Sequence, residues 1–101
     1  MSEACLLNLV VSPAVESPVT DWLLSQASVS GFSSHLVAGH GSSEHSMTLA
    51  EQVAGKRRQV LFQLHMPCAD ARKLLVLIKT EFSGSGMHYW LQPVVESGHL
   101  A

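Results

Sequence analysis

The sequence predicts an α+β fold of order β-α-β-β-α-β, a four-stranded antiparallel sheet with two helices on one face, the ferredoxin-like arrangement. Three observations carry this. Residues 4–11 (Ala-Cys-Leu-Leu-Asn-Leu-Val-Val) form a nearly unbroken apolar run too short for a helix. Residues 32–38 and 58–66 alternate with a period of two, the signature of strands with two unlike faces. Between and after them lie two stretches whose apolar residues follow helical spacing instead.

The first strand, residues 4–11, is apolar enough to be covered on both sides, and Pro13 follows it. Ser17-Pro18 predicts a helix start, with Ser as N-cap and Pro at the first helical position, where its missing N–H removes no bond. Asp21 then falls in the first turn, at the positive end of the helix dipole. Val19, Trp22, Leu23 and Gln26 share a stripe, so the helix is expected over residues 18–27, and Gly31 closes its connection. In the second strand Ser34, Leu36 and Ala38 face one way and Ser33, His35 and Val37 the other. In the third, Val60, Phe62, Leu64 and Met66 oppose Leu61, Gln63 and His65. Ala71, Leu74, Leu75, Ile78 and Phe82 predict a second helix over residues 68–82, with Arg72, Lys73, Lys79 and Glu81 toward solvent and Asp70 in its first turn. Ser83-Gly-Ser-Gly86 breaks it, and residues 87–96 form the last strand. Pro93 removes a ladder donor there, which places that strand at an edge or at a bulge.

Right-handed crossovers put the first and third strands at the centre and the second and fourth at the edges. The helices cover one face only. With Leu9 and Phe62 toward the helices, the open face carries Leu6, Asn8, Val10, His35, Val37, Leu61, Gln63, His65, Trp90 and Val94. That mixture is too apolar for open water and too polar for a core, the composition of a subunit interface. Charged residues are only 14% of the chain against 47% hydrophobic, and an average protein has about 25% charged. A closed homo-oligomer burying the open face is therefore expected. His35 and His65 share a parity on adjacent strands, which allows them to be cross-strand neighbours within it.

A formal charge of −2 gives no general attraction to nucleic acid or an anionic membrane surface. No apolar run approaches the ~18 residues of a membrane span, and Met-Ser-Glu-Ala-Cys lacks a basic leader, so a soluble cytoplasmic protein without direct membrane insertion is expected. Cys5 and Cys68 lie inside structural segments rather than in a Cys-x-x-Cys motif, and read as small buried hydrophobes rather than a metal or redox pair.

Functional chemistry concentrates in the connection between the second and third strands, residues 39–56. Hairpin loops usually run about 2–5 residues, and structureless loops beyond about 12–15 are uncommon unless they have a function or are disordered. This one holds His40, Glu44, His45 and Met47. Imidazole and thioether suit a soft or borderline ion such as copper, zinc or cadmium, with Glu44 adding an oxygen. Their spacing is too loose for a structural zinc signature, and solvated loop residues are the plainer reading. Lys56, Arg57 and Arg58 follow, where guanidinium forks suit phosphate or carboxylate, although a solvated strand start explains them too. Ser83, Gly84 and Gly86 are a second candidate anion contact through backbone N–H groups. No serine or cysteine has an evident base beside it and the carboxylates are scattered, so an enzyme is not expected.

The stretch Leu36-Val-Ala-Gly-His-Gly, the segment from His45-Ser-Met-Thr-Leu-Ala-Glu-Gln-Val-Ala-Gly-Lys-Arg-Arg into Val60-Leu-Phe, and Met87-His-Tyr-Trp-Leu-Gln-Pro-Val resemble the PII-like (nitrogen regulatory protein-like) signalling superfamily. Over nearly the whole chain they look closest to a branch often encoded beside heavy-metal efflux pumps. The resemblance implies a single PII-like domain over residues 1–101, assembly as a homotrimer, and a T-loop at residues 39–56 that docks on a partner. It also implies a link to metal resistance, with a membrane efflux component as the expected partner and His40, His45 and Met47 as the first residues to test as metal ligands. Ser83 to Gly86 take the place of the phosphate-binding B-loop. The sequence departs from nucleotide-binding members in having Met87-His88 after that turn instead of basic residues, and its single tyrosine, Tyr89, is not in the loop. Both departures argue against ATP sensing and uridylylation. The expectation is a non-enzymatic regulatory or sensor protein, the alternative a nucleotide- or anion-binding module using the cleft between subunits. Leu61, Gln63, Trp90 and the two histidines would line the oligomer interface.

Overall fold

The computed structural model describes residues 3–40 and 56–101. β1 (Ala4–Val11) is followed by a short 3-10 turn (Pro13–Val15) and α1 (Glu16–Leu24), then β2 (Ser33–Gly39), β3 (Arg57–Pro67), α2 (Cys68–Glu81) and β4 (His88–Val94). The four strands form one sheet in the order β2-β3-β1-β4, and every neighbouring pair is antiparallel. β1 and β3 are central, as the crossover argument requires. Pro93 lies in an edge strand, where its missing donor disrupts no inner ladder.

The alternation sorts the side chains as the period of two dictates. Leu7, Leu9 and Val11 of β1 and Val60, Phe62, Leu64 and Met66 of β3 are buried beneath Val19 and Leu23 of α1 and Ala71, Leu74, Leu75 and Ile78 of α2. Phe62 lies at the centre with no exposed surface, and its ring is 5.9 Å from that of Phe32. Trp22 meets Phe82 edge-on at 5.6 Å, joining the ends of the two helices. The helices do not extend over edge strand β2: Leu36 points to their side yet is 74% exposed. Val76 and Leu77 are also exposed on the outer side of α2, among the charged residues predicted there.

Three expectations are corrected. α1 begins at Glu16, ahead of Ser17-Pro18, because the 3-10 turn runs straight into it, and Val15 rather than Ser17 is the N-cap. Pro18 then sits at the third helical position, where a backbone N–H would still be without a helical acceptor. The helix also stops at Leu24, short of residue 27. Ser25 Oγ donates to the Trp22 carbonyl at 2.6 Å and Gln26 Nε2 to the same oxygen at 3.3 Å, closing the C-terminal end with side chains. Second, Cys5 and Cys68 are buried but joined in a disulfide, with Cα atoms 4.9 Å apart across a sequence separation of 63. Antiparallel pairing brings Cys5 opposite Met66 at the end of β3, and Cys68 follows two residues later at the start of α2. Its backbone N–H donates to the Glu3 carbonyl at 2.9 Å, tying the helix start to β1. Third, His35 and His65 are not neighbours. His35 pairs with Leu61, four residues back along β3 and about 13 Å from His65 at strand rise.

Candidate functional site

Two regions follow from this topology: the end of the sheet where β2 leaves and β3 begins, and the open face. At the first, Gly39 pairs with Arg57 and Ala38 with Arg58. The Gln59 side chain lies over Gly39, in the space that a Cβ would fill, so the strand end is packed by an amide laid on bare backbone. Lys56 and Arg58 are exposed and Arg57 is half-buried. His40 is exposed just beyond β2, whereas Glu44, His45 and Met47 lie outside the described residues. Among the described residues no group of three or more His, Cys, Asp and Glu side chains is gathered in a metal-binding arrangement.

The turn after α2 reaches the same end of the sheet. Gly84 and Gly86 hold φ of +80° and +78°, left-handed values that side chains with a Cβ rarely adopt. Ser85 N–H donates to the Phe82 carbonyl at 3.1 Å and Met87 N–H to Ser85 Oγ at 3.2 Å, so part of the turn's donor set is spent within the turn. A cavity of about 180 Å³ lies between the turn, the last turn of α2 and β4, with Phe82, Met87 and Tyr89 in its wall. Lys79 Nζ stands 5.2 Å from the centre of the Tyr89 ring, a cation held over an aromatic face. Val60 pairs with Val11 and Val10 with His88, which puts the basic start of β3 and the glycine turn on opposite sides of β1. Two strand spacings separate them, about 10 Å.

The open face has a polar centre in which Gln92 joins Asn8 and Gln63, the two amides that the strand alternation places there. Asn8, in the middle of β1, has no exposed surface. Its Nδ2 donates to Gln92 Oε1 at 2.9 Å and to the Leu6 carbonyl at 3.3 Å, and its Oδ1 accepts from Gln63 Nε2 at 3.1 Å. Trp90 Nε1 also donates to Gln92 Oε1, at 3.1 Å. One amide cluster therefore ties β3, β1 and β4 across the face and satisfies the buried Asn. Around it lie half-buried Leu6, Val10, Val37, Leu61 and Val94, and Trp90, 39% exposed, stacks at a tilt 5.7 Å from His88. His35 and His65 are both exposed on this face, apart from each other. One amide side chain on each of three strands, Asn8, Gln63 and Gln92, was the available signal, but the register that brings them together was not.

Comparison with known proteins places this geometry. The family model DUF3240, described as protein of unknown function, matches residues 1–101. No curated protein matches the chain. Among solved structures, a DUF3240 family protein from Shewanella baltica superposes with a TM-score of 0.79 at 24% identity, with 100% of both chains covered. CPII from Thiomonas intermedia, a nitrogen regulatory PII-like protein bound to ADP, AMP and bicarbonate, gives 0.69 at 17% identity over 97% of both chains. A functionally unknown protein from Pediococcus pentosaceus gives 0.66 at 11% identity, covering 99% of this chain and 100% of the other. At these identities the likeness establishes a shared fold.

Proposed function

The chain belongs to the DUF3240 family, and from that premise we propose that it is a non-enzymatic PII-like regulatory module that assembles through its open sheet face. The observation that carries this reading is the face itself. An amide cluster with its buried Asn satisfied, ringed by half-buried aliphatic side chains and Trp90, has the apolar body and sparse polar anchors of a protein interface. A homotrimer matches the PII-like resemblance and brings residues 40–56 of each subunit to the rim of a ring. That loop is the proposed docking element for a partner protein. No helix among the described residues is long and apolar enough to cross a membrane. Sedimentation at micromolar concentration should return three chains per particle, and Leu61→Arg, which sets a charge between His35 and Val10, should return single chains. Single chains from the unaltered protein would end this reading.

At the loop end, two ligand classes are separable by one set of calorimetric titrations. The nucleotide or anion reading is favoured by the nucleotide- and bicarbonate-bound CPII fold and by the shared sheet end of Lys56, Arg57, Arg58 and the turn at Ser83, Gly84 and Gly86. It expects ADP or AMP binding that Arg57→Ala with Arg58→Ala abolishes. The metal reading, drawn from the resemblance to proteins encoded beside efflux pumps, assigns His40, Glu44, His45 and Met47 to copper, zinc or cadmium. It expects heat from those ions that His40→Ala with His45→Ala abolishes. Heat unchanged by its own pair of substitutions would remove the corresponding reading.

A further inference from the structure

Three of the chain's six sulfur-bearing residues, Cys5, Met66 and Cys68, meet at the opposite end of the sheet from the loop. Cys5 and Met66 are direct cross-strand partners on the helix side, where Cβ atoms stand about 4.5–5.5 Å apart. Cys68 is in bonding contact with Cys5, and the three residues are 5%, 5% and 9% exposed. We propose that Cys5, Cys68 and Met66, with the disulfide reduced, form a buried all-sulfur site for a soft monovalent ion, Cu(I).

The chemistry follows from the donor set. Two thiolates and a thioether are soft ligands, which select Cu(I) over harder divalent ions. Zinc favours a closed tetrahedral set of four donors. Here the other strand neighbour of Cys5 is Pro93, which offers no side-chain donor, and His65 points to the opposite face of the sheet. Met66 is unbranched with a flexible thioether, so its sulfur can swing toward the pair without moving β3. Cys68 is the first residue of α2, where the helix dipole favours the negative charge of a thiolate. In a reducing compartment such as the cytoplasm expected from the sequence, thiols are the resident form.

The steps balance. A dithiol opens the bond by exchange: two electrons and two protons pass to Cys5 and Cys68, and the dithiol closes to its own disulfide. Cu(I) then displaces both thiol protons to solvent and forms two copper–sulfur bonds. Met66 contributes a lone pair as third ligand, and copper stays Cu(I) throughout. This site does not depend on the loop reading. Nine residue steps along β3, about 30 Å, separate Met66 from Arg57.

The test is an anaerobic titration of reduced, desalted protein with Cu(I) against bicinchoninate, alongside the disulfide form. The reduced chain should withdraw one equivalent per chain, and its melting temperature should rise with bound ion because only the folded state presents the site. That second readout works even where part of the reduced protein is unfolded. Met66→Leu keeps the core volume and should weaken binding at least about tenfold, the loss typical of a disturbed metal shell. Equal binding by the disulfide form would assign the ion elsewhere, the residues around His40 included, and overturn the proposal. So would a reduced chain that competes no better than Cys5→Ser with Cys68→Ser, or a Met66→Leu variant that titrates like the original.

Discussion

Reduction of the Cys5–Cys68 bond lowers the melting temperature by roughly 15–30 °C. The bond closes a loop with a sequence separation of 63, containing nearly all of β1 and the whole of α1, β2 and β3. Opening it returns that freedom to the unfolded chain, about 4 kcal/mol in the chain-entropy account. For a domain of this size, each kcal/mol moves the midpoint by about 4–8 °C. The measurement is calorimetry with and without dithiothreitol. The Cys5→Ala/Cys68→Ala chain serves as a control that should melt low and ignore the reductant. A shift under about 5 °C would mean that β1 and the start of α2 are held together equally well by their packing and by the Cys68 N–H to Glu3 carbonyl bond.

Asn8→Asp is the second large effect, a loss of about 3–5 kcal/mol at neutral pH from one nearly isosteric change. Asn8 Nδ2 faces two acceptors, Gln92 Oε1 and the Leu6 carbonyl. A carboxylate there sets oxygen against oxygen with no exposed surface through which water could intervene. Burial and these acceptors raise the introduced carboxyl's folded pKa above its unfolded value. The destabilisation is therefore present above the folded pKa and is relieved as pH falls through it, when the protonated acid can donate. Asn8→Leu removes the amide without adding charge and should cost less, about 1–3 kcal/mol, the loss of its hydrogen bonds to Gln63 and Gln92 without a buried charge. Urea midpoints at pH 7 and pH 4 distinguish the two. Equal losses, independent of pH, would show that Asn8 contributes by shape alone.

Legibility tracked distance along the chain. The two faces of β1 and β3, the apolar stripe of α2 and the edge position of the Pro93 strand were readable because each depends on residues a few positions apart. The start of α1 was misplaced because the Ser17-Pro18 signal competes with the 3-10 turn at Pro13–Val15, and that turn supplies the same backbone direction earlier. The exposed Val76 and Leu77 interrupt the polar face of α2, and helical periodicity alone assigns them no partner. At the candidate site, the basic start of β3 and the glycine turn were each visible as residues. Their place at one end of the sheet, two strands apart, follows only from the ladder.

By itself, the sequence determined the order of elements, which strands lie inside, and which side of each strand meets the helices. Hydrophobic periodicity and proline chemistry act locally and need no knowledge of register. Only the tertiary structure decided that Cys5 bonds Cys68, that Met66 stands beside them, that Asn8 is satisfied by two glutamines from neighbouring strands, and that His35 and His65 lie apart. Each of those facts is a pairing between distant residues. Pairings are set by strand register, which a one-residue slip would overturn and which no single segment encodes.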